Sequence, residues 1–326
     1  MRILGRIAIG VGVALTALVA AAAVSFVLDA TRPEHPVGFQ MLTAPNPQGR
    51  PLQIAVWYPT SSRPGLHFVQ SAPEVVAANG TVAGRGLPLI VISPGGGEPL
   101  PGRVDGAMAL ASAGFVAAVV IHADDRSIDR RYVAMPHWLA DRPREIHLAL
   151  QYMLHDWPAH GQLDASRVGI FGYSDGGLAA LIAIGGVPNA AQLAPHWRQP
   201  PGGASGIPAS VWVHDPTIKA AVLAAPAADA VFMPDGLSGV TAPVQLWNGT
   251  IDRIEPYPEN AALLLTLLPK RPELHLIPGA GHFTFISPCP HVLRWLSFCA
   301  ETGGFDRDAF HRDFNRSVIA FYQRNL

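Results

Sequence analysis

Three side-chain types spaced through the second half of the chain could together move an acyl group. Ser174 stands in Gly172-Tyr173-Ser174-Asp175-Gly176. An apolar, β-prone run (Val168, Ile170, Phe171) leads into it, and a helix-forming run from Leu178 to Ile184 leads out. A strand that turns sharply into a helix at Gly-x-Ser-x-Gly lifts the serine above a sheet edge, and glycines at both ends of the turn remove side chains that would strike neighbouring backbone. A serine hydroxyl is a weak nucleophile until a base takes its proton and a third group orients that base. His282, in Gly279-Ala280-Gly281-His282-Phe283, follows a later apolar strand on a glycine-freed loop and is the expected base. Asp252 lies between the two in Gly249-Thr250-Ile251-Asp252-Arg253-Ile254-Glu255-Pro256 and is the expected orienting acid, with Glu255 as the competing carboxylate. Serine, acid and histidine in that chain order suit an α/β sheet with a nucleophile on the strand–helix turn.

The negative charge that develops on an attacked carbonyl needs two backbone N–H donors. Asp175, the residue after the serine, supplies one. The other is expected from Gly95, Gly96 or Gly97 in Ser93-Pro94-Gly95-Gly96-Gly97, because Pro94 has no N–H. His122 also ends an apolar strand but precedes the serine, so it is read as a supporting or pocket residue. With Asp124 and Asp125 beside it, it falls short of a metal-ligand set. The acyl-transfer reading calls for no metal and no cofactor. Asp175 also sets a carboxylate beside the site, which predicts poor use of anionic substrates.

The elements that must position these residues read as strands alternating with helices. Strands are expected at 52–58, 87–93, 115–122, 167–173, 218–225, 244–248 and 273–277. Helices are expected at 104–113, 142–155, 175–184, 261–268, 291–298 and 307–324. Strands that are apolar throughout belong to a parallel sheet covered on both faces, so the fold class is α/β, doubly wound and mostly parallel. Chemistry in such sheets sits beyond the carboxyl ends of the strands, where Ser174, Asp252 and His282 fall.

Composition narrows the partners. The 326 residues are 49% hydrophobic and only 14% charged, with a net charge of −1. That excludes the basic footprint of a nucleic-acid binder. Residues 7–28 carry no charge, follow Arg2 and Arg6, and are long enough for an export signal or a membrane anchor. The expected organisation is therefore a signal peptide or anchor over 1–30 and a catalytic domain over 31–326, exported to the periplasm or beyond, with membrane attachment through 7–28 in the anchor case. The Pro- and Gly-dense stretch 188–214 reads as a lid-like insertion. Cys289 and Cys299 are the only cysteines, and in an exported chain they are expected to pair, adding ~2–3 kcal/mol on a chain-entropy model.

The chain resembles the α/β-hydrolase superfamily, and within it the exported dienelactone hydrolase-like branch, which is similar to platelet-activating-factor acetylhydrolases and cutinase-like polyester hydrolases. The resemblance runs from about Pro51 onward and rests on LPLIVISPGGG, LASAGFVAAVVIHAD, SRVGIFGYSDGG, HDPTIKAAVLAAP, PVQLWNGTIDRIEP and GAGHFTFISPC. It implies a serine hydrolase of carboxylic esters acting on a small-molecule ester. It implies Ser174 as nucleophile, Asp252 as acid, His282 as base and Gly96 as the second oxyanion donor. The chain departs from the relatives in four ways, the first being that the acetylhydrolases take their acid from the end of the strand after the serine turn, where this chain has Ala224-Ala225-Pro226. True dienelactone hydrolases carry a cysteine where Ser174 stands, many relatives carry a histidine where Pro94 stands, and the polyester hydrolases carry a bulky residue where Gly96 stands. A peptidase or amidase on the same fold, or a non-catalytic binding protein, are the alternative classes.

Overall fold

The computed structural model describes residues 16–17, 19–21, 23–70, 72–122, 137–189, 212–228 and 231–326. Asp124, Asp125 and most of the 188–214 stretch lie outside the described residues, as does the start of the apolar N-terminal segment. Among the described residues no helix is long and apolar enough to cross a membrane.

Ten strands form one sheet: β1 (Val37–Ala44), β2 (Leu52–Pro59), β3 (Gly65–Val69), β4 (Ala72–Ala78), β5 (Leu87–Ser93), β6 (Val116–Ile121), β7 (Leu163–Tyr173), β8 (Ile218–Ala224), β9 (Val244–Gly249) and β10 (Glu273–Ile277). Their order is β10-β9-β8-β7-β5-β6-β2-β1-β4-β3. From β6 to β10 every pairing is parallel; β2 then runs antiparallel to β6, and β1 antiparallel to β2. This is the α/β-hydrolase fold. The chain leaves β5 for β6 on one side and returns to β7 on the other, so the loops after β5 and β7 part company at a switch point and leave a crevice between them.

The apolar strands are buried on both faces because helices cover both. Along β5, Leu89 and Val91 face one core while Ile90 and Ile92 face the other, the two-residue alternation of a pleated strand. One core holds α1 (Val104–Ser112) and α5 (Arg307–Asn325), through Ala107, Met108, Phe314 and Val318. The opposite core holds α2 (His137–Gln151), α3 (Asp175–Ala183) and α4 (Ala261–Leu267), through Ile146, Leu150, Leu181 and Leu264. The element ends mostly fall within a few residues of the sequence expectation. The exceptions are α2, which begins five residues ahead of the expected start and runs through Pro143, and β7, which begins four residues early.

The helix expected over 291–298 is a correction. Only a short 3-10 turn, His291–Leu293, forms there. The stretch is closed instead by a disulfide between Cys289 and Cys299, with Cα atoms 5.7 Å apart, inside the usual bridging range of about 4.4–6.8 Å. The apolar spacing that suggested a helix serves neither core: Trp295 is 78% exposed.

Candidate active site

Ser174 caps the N-terminus of α3 with φ 53° and ψ −121°. Such backbone is costly for a residue with a side chain, and it persists only where the surroundings impose it. Here they do. A Cβ at Gly172 would fall 2.4 Å from the Gly176 carbonyl oxygen, and one at Gly176 would fall 2.0 Å from that of Ser93. The strand–turn–helix can close this tightly only with glycine at both positions, and closing it holds Ser174 out over the sheet edge. The Ser174 amide donates to the Ala224 carbonyl of β8 at 3.1 Å, which ties the turn to the neighbouring strand.

His282 opens a 3-10 turn, His282–Phe285, beyond β10. Its Nε2 lies 3.1 Å from Ser174 Oγ and its Nδ1 lies 2.9 Å from Asp252 Oδ2. The second carboxylate oxygen of Asp252 accepts two backbone amides, Ile254 N at 2.9 Å and Glu255 N at 2.8 Å. One oxygen is thus fixed by the loop and the other left to the imidazole. Glu255 enters this arrangement through its amide, which donates to Asp252. All three side chains are buried to within a few per cent, so the contacts lie in a low-dielectric setting where charge-assisted hydrogen bonds are strong.

The loop after β5 brings Gly95, Gly96 and Gly97 up beside the serine. Gly95 N–H donates to Glu98 Oε2 at 2.9 Å and is committed there. A Cβ at Gly96 would fall 2.1 Å from Asp175 Oδ2, so the two residues expected to donate to an oxyanion lie side by side. Asp175 opens α3, where the first amides have no carbonyl within their own helix to reach.

A ring of groups that the sequence did not reveal holds these loops in place. The Arg103 guanidinium, almost fully buried, donates from Nε to Glu98 Oε1 at 2.7 Å and from Nη2 to the Phe285 carbonyl at 2.9 Å. Tyr173, the residue before the serine, donates its hydroxyl to the His282 carbonyl at 3.1 Å, and burial pushes its pKa well above the ordinary phenol value. His311 of α5 bridges Asp105 Oδ2 and the Thr284 carbonyl, each at 2.9 Å. Burial alone would raise the Asp105 pKa, but hydrogen bonds and charge from His311, with Asn315 and Arg103, hold it below the ordinary carboxylate range.

His122 is fully buried and stands between Ser93 Oγ (2.9 Å from Nε2) and Glu145 Oε2 (2.8 Å from Nδ1). It therefore supports the root of the glycine loop and does not reach Ser174. Arg142, also of α2, donates to the Pro94 carbonyl at 2.8 Å and steadies the same loop. No local sequence signal marks these contacts, because their partners lie up to 206 residues apart.

Among the described residues no group of three or more His, Cys, Asp or Glu is placed to hold a metal ion. The arrangement can move a proton from a hydroxyl to an imidazole steadied by a carboxylate, beside backbone donors.

No protein-family model matches the chain, and no curated protein matches it in sequence. Among solved structures it is similar to a ferulic acid esterase from Streptomyces cinnamoneus, with 19% identity and a TM-score of 0.65 over 91% of this chain and 92% of that one. It is also similar to a dienelactone hydrolase from Anabaena variabilis, with 18% identity and a TM-score of 0.53 over 90% of this chain and 100% of that one. At these identities the likeness is one of fold.

Proposed function

We propose that the chain is a serine hydrolase that cleaves carboxylic esters. The observation that carries the reading is His282, held between Ser174 Oγ at 3.1 Å and Asp252 Oδ2 at 2.9 Å while Ser174 sits at φ 53°. Ser174 Oγ attacks the ester carbonyl as its proton passes to His282 Nε2. Asp252 keeps the other ring proton on Nδ1 and stabilises the imidazolium. The amides of Asp175 and Gly96 receive the developing oxyanion. Collapse of that adduct breaks the C–O bond, and His282 returns the proton to the departing alcohol. Water, deprotonated by His282, then attacks the acyl-serine and frees the acid. The names of the two structural neighbours, an esterase and a lactone hydrolase, favour esters over amides as first substrates.

Residues 31–326 carry the reacting groups in this reading, and Asp29 joins the site where the N-terminal segment is retained. The apolar segment before it and the Cys289–Cys299 bridge support an exported protein, held at the membrane if that segment is retained.

The test is a fluorophosphonate probe together with nitrophenyl ester and anilide panels. Wild type should label once and turn over esters, and Ser174→Ala should do neither while melting normally. A folded Ser174→Ala protein with wild-type rates would end the reading.

A further inference from the structure

The cavity that opens beside Ser174 and His282 encloses about 510 Å³, within the range of about 300–1,000 Å³ typical of small-molecule pockets. Besides the catalytic loops, Ala72 and Pro73, and the 99–104 stretch, its walls include two stretches far apart in the chain. Phe26, Asp29 and Thr31 belong to one, and residues 286–298 to the other. The second stretch is closed on itself by the Cys289–Cys299 bridge. It is fastened to the floor through Ser287, whose amide donates to the Gly102 carbonyl at 2.9 Å and whose Oγ accepts from Asp105 N at 3.1 Å.

The two stretches are clasped to each other across 262 residues. Asp29 Oδ2 accepts the His291 backbone amide at 2.7 Å, and Asp29 Oδ1 lies 2.7 Å from His291 Nδ1. Among the described residues, no lysine or arginine lines the cavity; of its acidic residues, Glu98 is paired with Arg103 and Asp29 is bonded to His291. An anionic arm would find no counter-charge there. A neutral apolar arm would find Phe26, Ile286, Leu293 and Phe298.

We propose that the Asp29–His291 clasp unites these stretches into one wall that selects neutral esters carrying an extended apolar arm. The inference rests on the esterase reading above and names its substrate class. Asp29 and His291 act as positioning residues, remote from the reacting atoms.

The full chain should be assayed with nitrophenyl acetate, nitrophenyl octanoate and the mono-nitrophenyl ester of octanedioic acid. Wild type is expected to favour octanoate over acetate, and to use the carboxylated ester at least about thirtyfold less well than octanoate. In Asp29→Ala the octanoate-to-acetate ratio of kcat/KM should fall about tenfold, through KM and not kcat. In His291→Ala it should fall less, because the backbone amide still reaches Asp29. The double variant should fall no further than Asp29→Ala. Phe298→Ala, at a half-exposed side chain, should lower the same ratio and keeps the test open where the clasp variants do not fold. An unchanged ratio in Asp29→Ala and Phe298→Ala, or a preference for the carboxylated ester, overturns the proposal. If the wild type neither labels with fluorophosphonate nor cleaves any ester, the esterase reading itself falls. An active enzyme with a flat profile sinks the wall alone.

Discussion

The Arg103 guanidinium lies 4.5 Å over the ring of Tyr173, the residue that leads into Ser174. A buried cation on that face is worth about 2 kcal/mol once desolvated. Its position matters more than its energy, because the same guanidinium bonds Glu98 from the glycine loop and Phe285 from the histidine loop. Three loops that must agree in position therefore share one planar group.

Removing that group should cost both fold and rate. Arg103→Met leaves Glu98 buried without its partner, a loss of about 3–5 kcal/mol in denaturant unfolding. Arg103→Lys keeps the charge but loses the fork that reaches two partners at once. It should remain folded and lose about tenfold or more in kcat, with KM little changed. An Arg103→Lys enzyme with normal kcat would show that the three loops hold their positions unaided.

Asp252 and Glu255 should separate cleanly. Asp252→Asn disturbs the tautomer of His282 and should lower kcat by roughly 10³–10⁴-fold. Glu255→Gln keeps the backbone amide that donates to Asp252, and should cost under about tenfold. Steady-state kinetics on one ester settles it. Crippled Glu255→Gln beside a near-normal Asp252→Asn would reassign the acid.

Gly96→Ala tests the second oxyanion donor. The added methyl would meet Asp175 Oδ2 at 2.1 Å, and that carboxylate is the flexible end of a side chain, so the fold should tolerate the change. In the esterase reading, accommodating it would displace the Asp175 and Gly96 amides from their positions at the oxyanion. Loss of one such donor costs about 10²–10³-fold, and partial displacement should cost about 10–100-fold in kcat. A fully active Gly96→Ala enzyme would place the donor elsewhere.

A pH effect should arise from a group outside the Ser174, Asp252 and His282 set. Glu74 on β4 is fully buried and its Oε1 has no partner, while Trp57 Nε1 donates to Oε2 at 2.9 Å. Burial pushes its pKa up to about 8, against a smaller opposing pull from Trp57. Between about pH 4.5 and 8 the folded chain holds this proton and the unfolded chain does not, so Glu74 makes stability fall as pH rises. The slope is at most about 1.4 kcal/mol per pH unit. Glu74→Gln still accepts from Trp57 and should flatten that fall, giving a higher Tm than wild type at pH 8. Parallel Tm–pH curves for the two proteins would show that Glu74 is ionised in the fold.

The placement of Ser174, Asp252 and His282 beside one another was legible because its backbone demands are local. The serine turn needs its glycines within five residues, and acid and base follow in order on loops after apolar strands. The long parallel strands were legible for the same reason, each being an unbroken apolar run. β1, β3 and β4 were not, since they are edge-side strands with mixed exposure, such as the alternating Gln40 to Thr43 of β1. The 291–298 stretch misled because Val292, Leu293 and Leu296 have helical spacing, whereas a covalent bridge and the clasp to Asp29 decide its shape. The Arg103, His122 and His311 contacts join residues 5 to 206 positions apart, and a single sequence carries no trace of such pairings.

Helix α5 gives the catalytic centre a place in time. His311 holds the Thr284 carbonyl just behind the imidazole, and Tyr322 donates its hydroxyl to the Ile170 carbonyl of β7 at 2.6 Å. Both anchors come from residues that leave the ribosome after the nucleophile, the acid and the base. A chain halted near residue 300 carries Ser174, Asp252 and His282 and the Tyr173 and Arg103 contacts to the imidazole turn, yet lacks the His311 contact. In the esterase reading, a full hydrolytic rate therefore requires α5 to be docked.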